Sequence, residues 1–343
     1  MAERVVLHVG LLKTGTSYLQ ERLGSRRRFL KDQGIWFPGW RRQVDGVVDV
    51  LDIGRRPRPE DAPGAWDDLV RRLHAWPGDA VVSMEFLGPA APPKIAAVVS
   101  SLAPMPVQVV VTARDLNRVL PAMWQETAKN GATTPWPDYV AAVRDDVGPG
   151  ARFWREQRAA RVVRNWADAV GLGNVTVVTV PPPGAPAETL WDRFCLAAGL
   201  DPALCPPVQP ANESLGVVSA EVLRRVNVRL EGAGLPWPAY SKTVKFDFAK
   251  RLLATRRGEE PALGCPVEPW LEKRAASMRR NLAETGVRVV GSLDDLVPVD
   301  VPGVSPADLA TDEVLDVAVA ALAEVLRRQA EEVARAKARG DEA

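Results

Sequence analysis

The chain has 343 residues, 46% of them hydrophobic and 25% charged, with 44 Lys and Arg against 43 Asp and Glu. That apolar content excludes a wholly disordered chain, and a formal net charge of +1 argues against a dedicated nucleic-acid binder. No stretch approaches the roughly 18 apolar residues of a membrane span, and the start MAERVVLHVG lacks the long apolar run of a secretory signal. The three cysteines (Cys195, Cys205, Cys265) lie far apart without a CxxC pair, which predicts reduced thiols in a cytoplasmic protein. Two histidines, His8 and His74, are too few for a histidine-rich metal site.

The first predicted element is a buried strand from Arg4 to Val9, followed by a glycine turn and a helix starting at Thr16 and closing near Gly24. A Pro-, Gly- and Arg-rich stretch from Gly34 to Gly64 reads as a long irregular excursion. Then come a helix over Trp66–Trp76, a strand over Ala80–Met84 and a helix over 93–102. The strand Val107–Thr112 leads into a helix over 115–129, two further helices, and a last strand over Val175–Val180. Strands alternating with helices predict parallel βαβ units and a doubly wound core.

After Ser219 the pattern is helical, with spans at 219–231, 246–255 and 268–284 and a long final helix over 311–339. That last helix carries Leu315, Val319, Leu322 and Leu326 at helical spacing, a face that either packs back on the core or pairs with a second copy in a homodimer. The expected organisation is therefore an α/β core over residues 1–210 and a helical lobe over 211–343 with a solvated tail.

Chemistry concentrates in the first turn, Val9-Gly10-Leu11-Leu12-Lys13-Thr14-Gly15-Thr16-Ser17. A strand running through a glycine turn straight into a helix points backbone N–H groups and the helix dipole at one spot, which favours an anion. Gly15 allows close approach, Lys13 adds a point charge, and Thr14, Thr16 and Ser17 add hydroxyls. A nucleoside-triphosphatase loop reads GxxxxGK[ST], with lysine after the second glycine; here lysine precedes it.

That order, KTGTS after a strand, resembles the 5′-phosphosulfate loop of the sulfotransferase superfamily, which moves a sulfuryl group from 3′-phosphoadenosine 5′-phosphosulfate (PAPS) to an alcohol or amine. A second mark of the family, a strand ending in an arginine that grips the 3′-phosphate, is matched by Val109-Val110-Val111-Thr112-Ala113-Arg114-Asp115. A planar guanidinium fork suits bidentate phosphate binding. The family's serine eight residues later is Ala122 here, with Gln125 and Lys129 on the same helix as substitutes. Where many members carry a histidine base at a strand end, Val81-Val82-Ser83-Met84 ends at Glu85; a carboxylate there could take the acceptor's proton, with mid-strand His8 as its competitor. Asn212 and Ser214 read either as lining the acceptor or nucleotide pocket or as a helix cap. Arg256-Arg257-Gly258 falls roughly where many members place a basic pair and glycine over the 3′-phosphate, or is a solvated basic loop.

The resemblance covers roughly the first 200 residues. It implies a P-loop-like three-layer core with a parallel sheet, and in-line transfer with Lys13 and Glu85 as catalytic groups. Lys13, Thr14, Gly15, Thr16, Ser17, Arg114 and Gln125 would hold PAPS, and no metal is required. A small molecule, carbohydrate or lipid would be the acceptor. A P-loop kinase or hydrolase, and a non-catalytic nucleotide-binding relative, stay open as alternatives.

Overall fold

The computed structural model describes residues 1–53, 64–208 and 214–341. In chain order the elements are β1 (Arg4–His8), α1 (Thr16–Ser25), α2 (Arg27–Asp32), β2 (Ile35–Trp36), α3 (Trp40–Leu51), α4 (Ala65–Ala75) and β3 (Asp79–Ser83). There follow α5 (Pro92–Leu102), β4 (Val107–Ala113), α6 (Leu116–Lys129), α7 (Trp136–Asp145), α8 (Pro149–Gln157), α9 (Ala159–Val170), β5 (Val175–Thr179) and α10 (Thr189–Ala198). The last elements are α11 (Val217–Leu230), α12 (Trp237–Tyr240), α13 (Pro269–Ala283), β6 (Arg288–Val290) and α14 (Thr311–Asp341).

The chain divides into two compact units. The first comprises residues 1–119, 143–211 and 267–299, and the second residues 120–142, 212–266 and 300–343.

The first unit holds a six-stranded, all-parallel sheet in the order β2-β3-β1-β4-β5-β6. Its four central strands, β3, β1, β4 and β5, are short, valine-rich and largely buried, as expected where helices cover both faces. Alternation sends Val6, Val81, Val110 and Val178 to one face, where they pack with Leu19 and Leu23 of α1 and Trp191 and Phe194 of α10. Val109, Val111 and Val177 take the opposite face, where α9 lies against β4 and β5. This is the expected parallel α/β core.

From β1 the chain moves to β2 and β3 on one side and then crosses to β4 on the other, so the order reverses between β1 and β4. Ligand crevices of open parallel sheets form at the carboxyl ends of strands flanking such a reversal. Register brings His8 level with Ser83 on one side and Val110 on the other.

Several expectations need correction. The stretch expected to be irregular contains β2 and α3; Val44 and Val47, three apart, are buried on α3, and Gly46 lets Leu69 of α4 approach closely. The rest of that stretch, 54–63, lies outside the described residues. A three-residue strand, β6, was too short to leave a period-2 signal and joins the sheet edge by pairing with β5. The helix expected over 246–255 is instead a π-helix at Ser241–Lys250 followed by a 3₁₀ turn at Leu253–Glu259.

Among its described residues the second unit is helical, with two isolated β-bridges, Leu263 to Val304 and Cys265 to Val301. Within it α14 packs on α11 through Val314, Val317 and Ala321, not through the stripe beginning at Leu315. Among the described residues, no helix is long and apolar enough to cross a membrane.

Candidate functional site

The turn after β1 continues the ladder to β4 for three residues beyond the strand, Val9 to Leu11. Val9 N–H donates to the Val110 carbonyl at 3.0 Å and Leu11 N–H to the Thr112 carbonyl at 2.7 Å, while Thr112 N–H returns to the Gly10 carbonyl at 2.5 Å. Three residues of the turn have positive φ: Gly10 at 95°, Lys13 at 61° and Gly15 at 92°. Gly15 is required twice over, because a Cβ there would also lie 2.6 Å from Leu190 Cδ2. Gly15 is also the N-cap of α1, and no side chain caps the helix. Its first-turn N–H groups are therefore the donors an anion would meet.

The three hydroxyls of the turn part company. Thr14 is buried, and its Oγ1 donates to the Leu11 carbonyl at 2.5 Å. Thr16 is buried, with Oγ1 3.5 Å from the same carbonyl. Ser17 is exposed. Thr14 thus holds the shape of the turn with its side chain, which leaves its backbone N–H as its means of meeting an anion.

Behind the turn runs a buried chain of hydrogen bonds that sequence reading missed. Ser83 Oγ lies 2.8 Å from His8 Nδ1, His8 Nε2 lies 3.1 Å from Thr112 Oγ1, and Thr112 Oγ1 lies 2.6 Å from Thr14 Oγ1. A hydroxyl has one proton to give. Thr14 gives its proton to Leu11, so Thr112 donates to Thr14, His8 Nε2–H donates to Thr112, and Ser83 donates to Nδ1. Every donor is used once, and the ring is fixed as the neutral Nε2–H tautomer. Complete burial lowers the His8 pKa from 6.5 to about 3, consistent with that assignment. His8 is therefore a strut between β3, β1, β4 and the turn; neither ring nitrogen is left to act as a base. The sequence signal was faint: a serine that only pairing brings level with His8, and a threonine two residues beyond Val110, its register partner on β4.

At the end of β4, Arg114 is half-buried and its Nη1 lies 3.4 Å from the Lys13 carbonyl. Burial, and then the neighbouring Arg118, push its pKa down to about 10, with Asp115 opposing; the guanidinium remains cationic at neutral pH. Asp115, fully buried, accepts the Arg118 N–H at 3.0 Å and pairs with the Arg118 Nε, which anchors the start of α6. Arg118 Nη1 donates to the Pro181 carbonyl at 3.0 Å. Arg114 Nε and Arg118 Nη2 are both buried without a hydrogen-bond partner. Buried donors are ordinarily satisfied, so this strand end has donor capacity that a multiply charged anion would use.

Glu85 opens a 3₁₀ turn, Glu85–Leu87, immediately after β3. It is half-buried and lies directly against Gly10 of the turn: a Cβ on Gly10 would be 2.9 Å from the Glu85 Cβ. Gly88 packs equally closely on the Val9 carbonyl. Lys13, Glu85 and Arg114 therefore all sit around the turn following β1. Gln157 at the end of α8 donates to the Leu12 carbonyl at 3.0 Å, a second brace on the turn with no signal in the sequence. Among the described residues, no group of three or more His, Cys, Asp or Glu is placed to hold a metal ion.

In the second unit, Gln125 is buried and its amide is committed at both ends: Nε2 donates to the Leu215 carbonyl and Oε1 accepts the Leu215 N–H, each at 3.0 Å. Ala122 is half-buried, and Ser214 is exposed. Asn212 lies outside the described residues. Arg256 pairs with Glu260 at 3.2 Å; that carboxylate also accepts the Ser219 N–H at 2.8 Å and so caps α11.

No protein-family model and no curated protein matches the chain. Among solved structures, it is distantly similar to the crystal structure of a sulfotransferase from Alicyclobacillus acidocaldarius, at 15% identity and a TM-score of 0.38, over 66% of this chain and 94% of that one.

Proposed function

We propose that the chain is a PAPS-dependent sulfotransferase that moves a sulfuryl group to a hydroxyl or amine of a small-molecule, carbohydrate or lipid acceptor. The observation that carries this reading is the pairing of two anion-directed features at the β1/β4 reversal. One is the uncapped start of α1 with Lys13; the other is Arg114, whose buried Nε lacks a partner and whose Nη1 lies 3.4 Å from the Lys13 carbonyl. A nucleotide with phosphates at both its 5′ and 3′ positions would engage both, whereas ATP carries its phosphates on one arm.

In this reading PAPS supplies the sulfuryl group. The N–H groups of Gly15, Thr16 and Ser17 and the Ser17 hydroxyl hold its 5′ end, and Arg114 holds the 3′-phosphate. Lys13 offsets charge that develops on the bridging oxygen as the bond to sulfur breaks. Glu85 takes the proton from the acceptor. Gln125 has no part, since Leu215 occupies both ends of its amide.

The test is calorimetric titration with 3′-phosphoadenosine 5′-phosphate, and separately with ATP and Mg²⁺. Metal-independent binding of the bisphosphate, weakened in Lys13→Ala and in Arg114→Ala, is the expected result. Binding of ATP·Mg²⁺ alone would overturn the proposal in favour of a kinase or hydrolase. Bisphosphate binding with no turnover on any acceptor class would favour a non-catalytic relative.

A further inference from the structure

Ser83, the last residue of β3 and two before Glu85, has each of its polar groups held by a side chain from elsewhere in the first unit. β2 is matched to β3 only at Asp79 and Ala80, so it stops short of Ser83. On the other edge the ladder to β1 continues, with Met84 N–H donating to the His8 carbonyl at 2.9 Å. Successive residues of a strand turn their backbone groups to opposite edges. The Ser83 N–H and C=O therefore face the edge that β2 leaves open, and two glutamine amides stand where a strand would. Buried Gln43 of α3 accepts the Ser83 N–H on Oε1 at 2.7 Å and donates its Nε2 to the Pro38 carbonyl at 2.6 Å. Gln20 of α1 donates its Nε2 to the Ser83 carbonyl at 2.7 Å. With His8 Nδ1 2.8 Å from the Ser83 hydroxyl, the strand end is fixed from three directions.

The two glutamines differ in what stands behind them. Gln43 belongs to α3, which has no part in holding the nucleotide in the proposed function. Gln20 lies about 6 Å along α1 from Thr16, one turn of helix, and the N–H groups at that end are the ones assigned to the 5′ end of the donor. We infer that Gln20 is a positioning residue: it ties the helix that holds the donor to the strand end that carries Glu85, and so sets the base relative to the sulfur. The inference rests on the proposed function. In-line transfer needs the acceptor oxygen, the sulfur and the leaving oxygen aligned with the base in reach of the acceptor's proton, and a displacement of about 1 Å costs up to about 100-fold in rate. The packing of Gly10 on Glu85 and the bond from His8 tie the end of β3 to β1 and its turn. The Gln20 bond ties it to the helix itself. Gln20 acts through Ser83 and touches no reacting atom.

The test is hydrogen exchange across residues 84–88, read by mass spectrometry with and without saturating 3′-phosphoadenosine 5′-phosphate. In that segment the Met84, Leu87 and Gly88 amides hold the strand end and the 3₁₀ turn by backbone bonds. Calorimetry on the same samples reports whether the nucleotide binds, and circular dichroism checks each variant's fold. In the wild type, bound nucleotide is expected to slow exchange in the segment about 2- to 10-fold, the worth of one hydrogen bond. Gln20→Met, and Gln20→Glu, which keeps the shape but has no proton to donate at neutral pH, should bind the nucleotide nearly as tightly and lose that slowing. Gln43→Met should speed exchange with and without nucleotide alike and keep the slowing, the pattern that a merely structural role would also give Gln20. Slowing retained in a folded Gln20 variant, or absent from the nucleotide-bound wild type, would overturn the inference and leave the proposed function standing. A wild type that does not bind the nucleotide would overturn the proposed function, and this inference with it.

Discussion

His8 Nε2 and Thr112 Oγ1, 104 residues apart in sequence, meet at 3.1 Å behind the turn that follows β1. This bond joins the backbone bonds between Thr112 and the turn in tying the turn's shape to the sheet beneath it. Thr112→Val keeps the volume but leaves the His8 Nε2–H and the Thr14 hydroxyl oxygen buried without their partner. We expect a loss of about 1–3 kcal/mol in stability, read by urea unfolding, with weaker binding of 3′-phosphoadenosine 5′-phosphate. Unchanged stability would mean the chain of hydroxyls contributes nothing to the turn.

The same burial makes a statement about pH. In the unfolded chain His8 takes up a proton near pH 6.5, but in the folded protein it does so only near pH 3. Between those values the unfolded state binds the extra proton. Stability from keeping the ring neutral is therefore complete above pH 6.5 and lost as pH falls towards 3, by up to about 1.4 kcal/mol per pH unit. The measurement is the unfolding midpoint across that range for the wild type and His8→Gln. The wild-type curve should fall more steeply, and parallel curves would show that the ring titrates normally.

Gly15→Ala places a methyl group 2.6 Å from Leu190 Cδ2 at a φ of 92°. The backbone cost alone is about 1–2 kcal/mol. We expect reduced affinity for the bisphosphate nucleotide. The double variant with Leu190→Ala should recover the part due to crowding and not the part due to φ, so full recovery would show that crowding was the whole effect.

Arg114→Lys keeps the charge and loses the fork. If Arg114 grips the 3′-phosphate, affinity for 3′-phosphoadenosine 5′-phosphate should fall about 10- to 100-fold, the worth of a charge-assisted bond. Affinity for 5′-AMP should stay nearly constant. An equal fall for both nucleotides would assign Arg114 to the turn rather than to the 3′ end.

Glu85→Gln preserves size and the close contact with Gly10 while removing the capacity to take a proton. On the proposed mechanism kcat for sulfuryl transfer should drop by about 10²- to 10⁴-fold, with nucleotide affinity unchanged. Transfer at a near-normal rate would remove Glu85 from the role of base.

What the sequence determined by itself is local. The strand–glycine–helix succession, the placing of Lys13 before Gly15 and the arginine ending β4 follow from patterns a few residues long. Backbone sterics and side-chain period dictate those patterns without help from elsewhere in the chain. The layered α/β class followed too, because alternating strands and helices leave few ways to cover a parallel sheet.

Only the tertiary structure decided which strands are neighbours, since pairing joins segments some 75 to 104 residues apart by hydrogen bonds that carry no sequence code. The order β3-β1-β4 brings Glu85 against Gly10, Arg114 against Lys13, and Ser83 and Thr112 to opposite edges of the His8 ring. The commitment of Gln125 to Leu215 depends in the same way on a distant segment. On α14 the stripe beginning at Leu315 was legible as helical spacing, but whether that face or another is covered depends on where α11 lies. Packing, not periodicity, put Val314 inside and Leu315 outside.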